Sequence, residues 1–491
     1  MHFRVLAATA TTRTFATRLP FRFGAVTITE LQRVLLHLRV VGPDGREADG
    51  FAADFMVPRW FDKRAEGTPA DDVRALEESL RIAVQRLLRP NGNTVFAQWL
   101  ALERATFEGL RDDPDAALVA GFGLALVERA LMDAACRWAG ISFHAALVRN
   151  LFAFDAGQVI AELGSWRVEL NLPNNPARTV RLRHTVGFLD ALRRTDAAAV
   201  AMPIDERASI ATALQAEGLP NDGLPATLED AIDHYGLTAF KVKLSGDTTR
   251  DLSRLLAVAN LLVDRVPRAA LRVTLDANEQ YADLDALGLV LDRLTEDPAG
   301  RRFLCALAFV EQPLPRRLCC APETAAAIQR FARHAPLLLD EGDSDTLAFA
   351  RARSHGWSGV SVKPCKGVFR ALLNRGLVER SNGKLFLSAE DLTCPPTTAL
   401  QQDLALVASL ELPDVEKNAH HYFRGLDALG DEERSGALRT HPHLYERSGA
   451  MVHLAVRKGL LNLSDMDSVG FGAGADPRNS ADAILLRMEA P

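Results

Sequence analysis

The chain has 491 residues, with 57 Lys and Arg against 63 Asp and Glu (formal charge −6), 48% hydrophobic and 24% charged residues. This is ordinary globular composition, which excludes low-complexity, collagen-like and wholly disordered chains and allows two to four domains. No long basic run suggests a nucleic-acid partner, and no run of ~18 apolar residues suggests a membrane span.

The N-terminal stretch Met1 to Ala10 is free of acids, as transit peptides are, but its apolar part is too short for a signal. Residues 1–60 read as a strand meander. Phe21 to Ile28 and Gln32 to Val41 alternate with strand period, joined by Thr29-Glu30-Leu31, and Pro43-Asp44-Gly45 marks a turn before Gly50 to Val57. Helical periods follow over residues 70–90 and 120–139, so residues 1–150 read as an α+β domain, completed by a C-terminal tail at 455–491. Residues 151–177, with Asn171-Leu-Pro-Asn-Asn-Pro176, read as an excursion between domains. The six cysteines, Cys136, Cys305, Cys319, Cys320, Cys365 and Cys394, form no C-x-x-C pair and no zinc-like spacing with histidine, which points to a reducing, cytoplasmic compartment.

From residue 178 to 454 the rhythm is strand, helix, strand, helix. Eight strand candidates stand out: 180–186, 239–244, 271–276, 307–311, 336–340, 359–363, 385–389 and 414–416. Helical patterns at 252–266, 284–294, 323–333, 346–354 and 398–410 separate most of them. Eight such repeats over ~240 residues predict a (β/α)8 barrel; a doubly wound sheet would want a glycine-rich first turn that is missing here. Residues 190–226, long and punctuated by Pro and Gly, read as a loop at the catalytic mouth.

Five consecutive strands end in lysine, acid, acid, acid, lysine: Lys241-Val-Lys243, Asp276-Ala-Asn278, Glu311-Gln-Pro313, Asp340-Glu341 and Lys363. A barrel gathers these ends on one face, and alternation puts Lys241 and Lys243 on the same side of their strand. Three carboxylates side by side call for a cation, and hard oxygen donors suit Mg²⁺, with Mn²⁺ as a substitute. A dication and a second ammonium would lower a flanking lysine's pKa toward working pH, making it a general base. Lys363 is the expected strand-six lysine, and Lys366, three residues on, reads as an exposed residue of the following helix. Of His420-His421, one is expected to pack and one to face the pocket.

At these residues the sequence resembles the enolase superfamily, and within it the muconate-lactonizing group of mandelate racemase/muconate lactonizing enzyme-type proteins. Leu19-Pro-Phe21-Arg-Phe23-Gly24 resembles the family's N-terminal substrate loop, and Val127-Glu-Arg-Ala-Leu-Met-Asp-Ala-Ala135 its capping-domain helix. The resemblance implies that Asp276, Glu311 and Asp340 bind Mg²⁺ and that Lys243 and Lys363 are the acid/base pair on opposite faces of one carboxylate substrate. Lys241, Asn278, Glu341, Glu390 and Glu416 would support the ligands or touch substrate, and Phe21 and Phe23 would cover it. It further implies a homo-oligomer and a racemase, epimerase, cycloisomerase or lyase reaction through an enolate. Strand seven, Leu385 to Asp391, lacks the histidine of the sugar-acid dehydratase-like members. Strand eight reads Val415-Glu416-Lys417-Asn418, where dipeptide epimerases have an acid-x-acid pair. An acid-sugar dehydratase and a non-catalytic ligand-binding member are the alternatives.

Overall fold

The computed structural model describes residues 2–24, 26–64, 67–89, 92–195, 219–473, 476–479 and 481–490. Strands β1 (Arg4–Phe23), β2 (Val26–Val41) and β3 (Glu47–Met56) form an antiparallel meander, and β15 (Ala483–Glu489) pairs with the free side of β1. The first turn is not at Thr29–Leu31, as the period suggested, but at Gly24, whose φ of +49° lies in the left-handed region that glycine tolerates. The alternation breaks because the register slips between the pairs Ala16↔Glu30 and Phe21↔Ile28, so Thr17 to Pro20 bulge out of β1. The turn at Pro43-Asp44-Gly45 falls where the sequence puts it, between β2 and β3.

Three helices cover this sheet: α1 (Pro69–Leu87), α2 (Val95–Phe107) and α3 (Pro114–Ala139). Thr68 and Asp113 cap α1 and α3, each with proline in the first turn, and Gly140 (φ +66°) ends α3. Helix α3 lies directly on β3. A Cβ at Gly50 would fall 2.1 Å from the Ala130 carbonyl oxygen, so only glycine permits this contact.

The barrel strands are β4 (Thr179–Val186), β5 (Ala239–Lys243), β6 (Arg272–Asp276), β7 (Leu307–Glu311), β8 (Leu337–Leu339), β9 (Gly359–Val362), β10 (Phe386–Ala389) and β11 (Asp414–Glu416). Each agrees with the sequence reading to within one residue at either end. All adjacent pairs are parallel, and β11 pairs with β4 to close the ring. Leu182, Phe240, Val242, Leu275, Val310, Leu338 and Val360 are buried in its packed wall. The helix expected at 252–266 spans Thr248–Arg265, because Asp247 caps it earlier. The segment around Asp297 is a helix of its own, Pro298–Cys305, capped by Asp297.

Beyond the barrel, β12 (Tyr445–Ser448) and β13 (Met451–Leu454) form a hairpin, and β14 (Leu460–Asn462) pairs antiparallel with β4. The C-terminal tail is therefore shared, β14 with the barrel and β15 with the N-terminal sheet. Residues 151–177 pack as short turns, and Trp166 Nε1 donates to Glu379 Oε2 (2.6 Å) on the helix Val368–Arg380. Of the loop expected at 190–226, residues 196–218 lie outside the described residues. No described helix is long and apolar enough to cross a membrane.

Candidate active site

The barrel register sets Lys243, Asp276 and Glu311 side by side on β5, β6 and β7. Asp340 and Lys363 each follow the last residue of their strands, and Glu390 follows β10. All of these side chains are buried.

Lys241 stands at the centre. Its Nζ lies 2.7 Å from Glu311 Oε2 and 2.9 Å from Asp276 Oδ2, Glu390 Oε2 and Glu416 Oε2. Burial opposes its charge, but the four carboxylates, Asp276 first, outweigh this and raise its pKa above that of a free lysine. Lys243 Nζ donates to Asp276 Oδ2 (2.5 Å) and to Asn278 Oδ1 (2.9 Å). Lys363 Nζ donates to Asp340 Oδ2 (2.6 Å). Burial disfavours the Lys363 ammonium, yet the adjacent Asp340 carboxylate prevails, and the pKa rises. Asp340 in turn is pulled below the usual carboxylate range by Lys363 and Lys366, against the effect of burial.

Lys366 is likewise not exposed. It sits in the tight turn Pro364–Lys366, 5% exposed, and its ammonium reaches the Asp340 main-chain oxygen at 2.5 Å. Glu341 faces the cap: its Oε1 accepts from Asn278 Nδ2 (3.1 Å) and lies 3.4 Å from Lys63 Nζ. Glu390 and Glu416 also serve the barrel wall. Arg183 pairs with Glu390 (2.5 Å) and with Asp414, and Thr185 donates to Glu416 Oε1 (2.5 Å).

Glu311 differs from its neighbours. No hydrogen bond among the described residues reaches either of its oxygens. Burial first, then the nearby charges of Asp276 and Glu390, push its pKa well up. Its ion-pair partner, the Lys241 ammonium at 2.7 Å, is shared with three other carboxylates, and with Asp276 and Asp340 on adjacent strands Glu311 makes a hard-oxygen donor set whose chemistry suits Mg²⁺. The side chains do not close on a common point, however. Among the described residues no three His, Cys, Asp or Glu groups are placed to hold one metal ion.

Above these groups lies a narrow cavity of about 20 Å³. The N-terminal domain lines it with Phe21, Phe23, Val57 and Trp60; the barrel contributes Lys241, Lys243, Asn278, Lys363, Glu416 and Asn418, with Asp391, Leu392 and Thr393 from the loop after β10. Strands β5 and β9 are four apart in a ring of eight, so Lys243 and Lys363 face each other across it. Lys363 Nζ sits 4.4 Å from the centre of the Trp60 ring, and Lys243 Nζ 5.9 Å from that of Phe21. His420 and His421 are both buried and neither lines the cavity, so the expected pocket-facing histidine is absent. They pack instead with His184, whose Nδ1 lies 2.9 Å from His420 Nε2, and burial holds all three neutral.

Two clasps hold the N-terminal domain over this mouth. Arg316 donates to the main-chain oxygens of Trp60 (2.8 Å) and Phe61 (2.7 Å) while pairing with Glu279 (2.9 Å). Lys63 Nζ donates to the Asn278 main-chain oxygen (2.6 Å) and pairs with Glu279 (2.7 Å). Sequence reasoning reached the Phe55–Phe61 loop and the end of strand seven as specificity regions without singling out Trp60 or Leu392, and it had no access to Lys63. They arrive from loops of separate elements, and no local pattern marks them.

No protein-family model matches the chain, and no curated protein matches its sequence. Solved structures do. The muconate lactonizing enzyme from Mycobacterium smegmatis, complexed with muconolactone, superposes with a TM-score of 0.58 at 15% identity, covering 96% of this chain and 97% of that one. The 2-chloromuconate cycloisomerase from Rhodococcus opacus 1CP gives 0.57 at 16% identity over 96% of each. An enolase from Bradyrhizobium, complexed with magnesium and mandelic acid, gives 0.55 at 16% identity over 97% and 96%. With its closed eight-stranded parallel barrel and antiparallel cap, the chain has the fold of the enolase superfamily's muconate-lactonizing and mandelate-racemase-type proteins.

Proposed function

We propose that the chain is an enzyme of the muconate-lactonizing group that moves the α-proton of a small carboxylate substrate, giving racemisation, epimerisation, cycloisomerisation or elimination. One observation carries this reading. Lys243 and Lys363 face one cavity from opposite sides, each seated on a carboxylate of the neighbouring strand. A substrate between them presents both faces of its α-carbon to an amine.

In this scheme either lysine can take the α-proton on its own side, and the other returns or donates one from the opposite face. Lys241 keeps a fixed positive charge under the carboxylate. Phe21, Phe23 and Trp60 exclude water and contact the substrate's body, and they yield to admit it. Asp276, Glu311 and Asp340 would hold magnesium, as the donor chemistry and the crowding of four carboxylates on Lys241 support, and the ion would supply positive charge against the negative charge that develops as the α-proton leaves. The Bradyrhizobium neighbour, which carries magnesium, supports the same assignment.

The narrowness of the cavity favours one second reading, a ligand-binding member without turnover. Screening amino-acid, N-acyl-amino-acid, dipeptide and sugar-acid libraries for α-hydrogen exchange in D2O, with and without Mg²⁺, decides between them. Exchange that requires Mg²⁺ supports the enzyme. Binding without exchange across all classes supports the alternative.

A further inference from the structure

We propose that Lys366 is a positioning residue that fixes the Asp340 carboxylate, and through it Lys363. Its ammonium uses all three donors on one small ring of acceptors. It reaches Asp340 Oδ1 at 3.1 Å, the Asp340 main-chain oxygen at 2.5 Å and Ser361 Oγ at 2.6 Å. Ser361 Oγ closes the ring by donating to Asp340 Oδ1 at 2.6 Å.

Gripping the main-chain and side-chain oxygens of the same residue leaves Asp340 little freedom at either torsion. Oδ1 is taken by Lys366 and Ser361, so Oδ2 is the oxygen presented to Lys363. Lys366 lies outside the lining of the cavity and has no donor left for a substrate; apart from a longer contact to Asp343 (3.7 Å), it acts through Asp340 and Ser361. Plain packing is a poor account of it. An apolar side chain would fill the same space without the desolvation cost of a buried ammonium. Two lysines of the run Lys363-Pro-Cys-Lys366 thus hold one carboxylate, because the tight turn Pro364–Lys366 folds the second lysine back beneath it.

The functional consequence rests on the proposed metal-ligand role of Asp340, and the test separates the two claims. Mn²⁺ affinity is measured by calorimetry on the intact chain and on Lys366→Met and Ser361→Ala, with melting temperatures, and the crystal structures of both variants are solved. Loss of a neighbouring positive charge by itself would tighten cation binding. Positioning predicts the opposite: about tenfold weaker Mn²⁺ binding in Lys366→Met and a smaller loss in Ser361→Ala, the range seen when partners of metal ligands are removed. It also predicts an Asp340 side chain that has turned away from Lys363. Unchanged or tighter Mn²⁺ binding with Asp340 still in place overturns the proposal. A parent chain that takes no Mn²⁺ sinks the metal reading instead, and the orientation of Asp340 in the variants still decides the role of Lys366. Should Lys366→Met fail to fold, Ser361→Ala opens the same ring with the lysine retained, and an unmoved Asp340 there overturns the proposal.

Discussion

Lys241 and Glu311 meet at 2.7 Å on the floor of the barrel mouth, and neither is more than 1% exposed. The lysine serves four carboxylates, and it is the one ion-pair partner of the glutamate among the described residues. The stability of this end of the barrel therefore hangs on one ammonium, and its latent affinity for a cation on one carboxylate.

Lys241→Met leaves Asp276, Glu311, Glu390 and Glu416 facing one another without their shared cation. Breaking a buried pair by removing one partner costs about 3–5 kcal/mol. An unfolding free energy lowered by that amount in urea titrations is expected; a variant as stable as the parent would show that water or rotation of the acids compensates the charge.

Glu311→Gln should act in opposite directions with and without metal. Without it, the substitution removes one of four buried carboxylates that share the Lys241 ammonium and leaves that ammonium three partners, so stability is equal to or above that of the parent. With Mg²⁺, the parent gains about 2.7 kcal/mol at a hundredfold excess over Kd, and the variant gains far less. Thermal midpoints across a Mg²⁺ titration check both signs.

The two domains are joined by a carboxyl that titrates near neutrality. Glu128 Oε1, on α3, accepts from the Phe369 main-chain N–H at 2.6 Å, capping the barrel helix Val368–Arg380, whose own N-cap is Gly367. Burial raises its pKa to about 8, although the Phe369 N–H, Arg129 and Arg370 pull the other way. The folded value lies above the ordinary glutamate value, so the protonated carboxyl stabilises the fold at acid pH, and that contribution is lost as pH rises through about 8. The slope is on the order of 1.4 kcal/mol per pH unit. Glu128→Gln keeps the acceptor and removes the titration. Stability curves between pH 5 and about pH 9 should therefore flatten in the variant, and equal slopes in both proteins would contradict this.

Arg316→Met should free the Trp60 loop, since Arg316 holds the main-chain oxygens of Trp60 and Phe61. Faster proteolysis near residues 59–64 is the expected result, with the barrel intact by circular dichroism.

Much of this was legible in the sequence. Glu311 and Asp340 are each the first polar residue after a short apolar run, Asp276 and Lys363 end runs broken only by a buried Thr274 or Ser361, and that position carries all four to the barrel mouth. Distances within the mouth were not legible. Strand position brings Lys363 to the mouth but does not reveal that its ammonium is seated on the Asp340 carboxylate. Lys366 read as exposed because three residues on from Lys363 suggests the next helix, whereas Pro364 starts a tight turn that folds it inward. The first turn was placed at Thr29–Leu31 because a bulge opposite it interrupts the alternation that Gly24 ends.

The central claim is that Lys243 and Lys363 work on opposite faces of one α-carbon. It is tested most directly by following solvent-deuterium incorporation at the α-position of a substrate found by screening, in the parent chain, Lys243→Ala and Lys363→Ala, with Mg²⁺ present. Exchange lost from one face in each variant, with the fold retained, is the predicted result; exchange at the parent rate in both variants would contradict it.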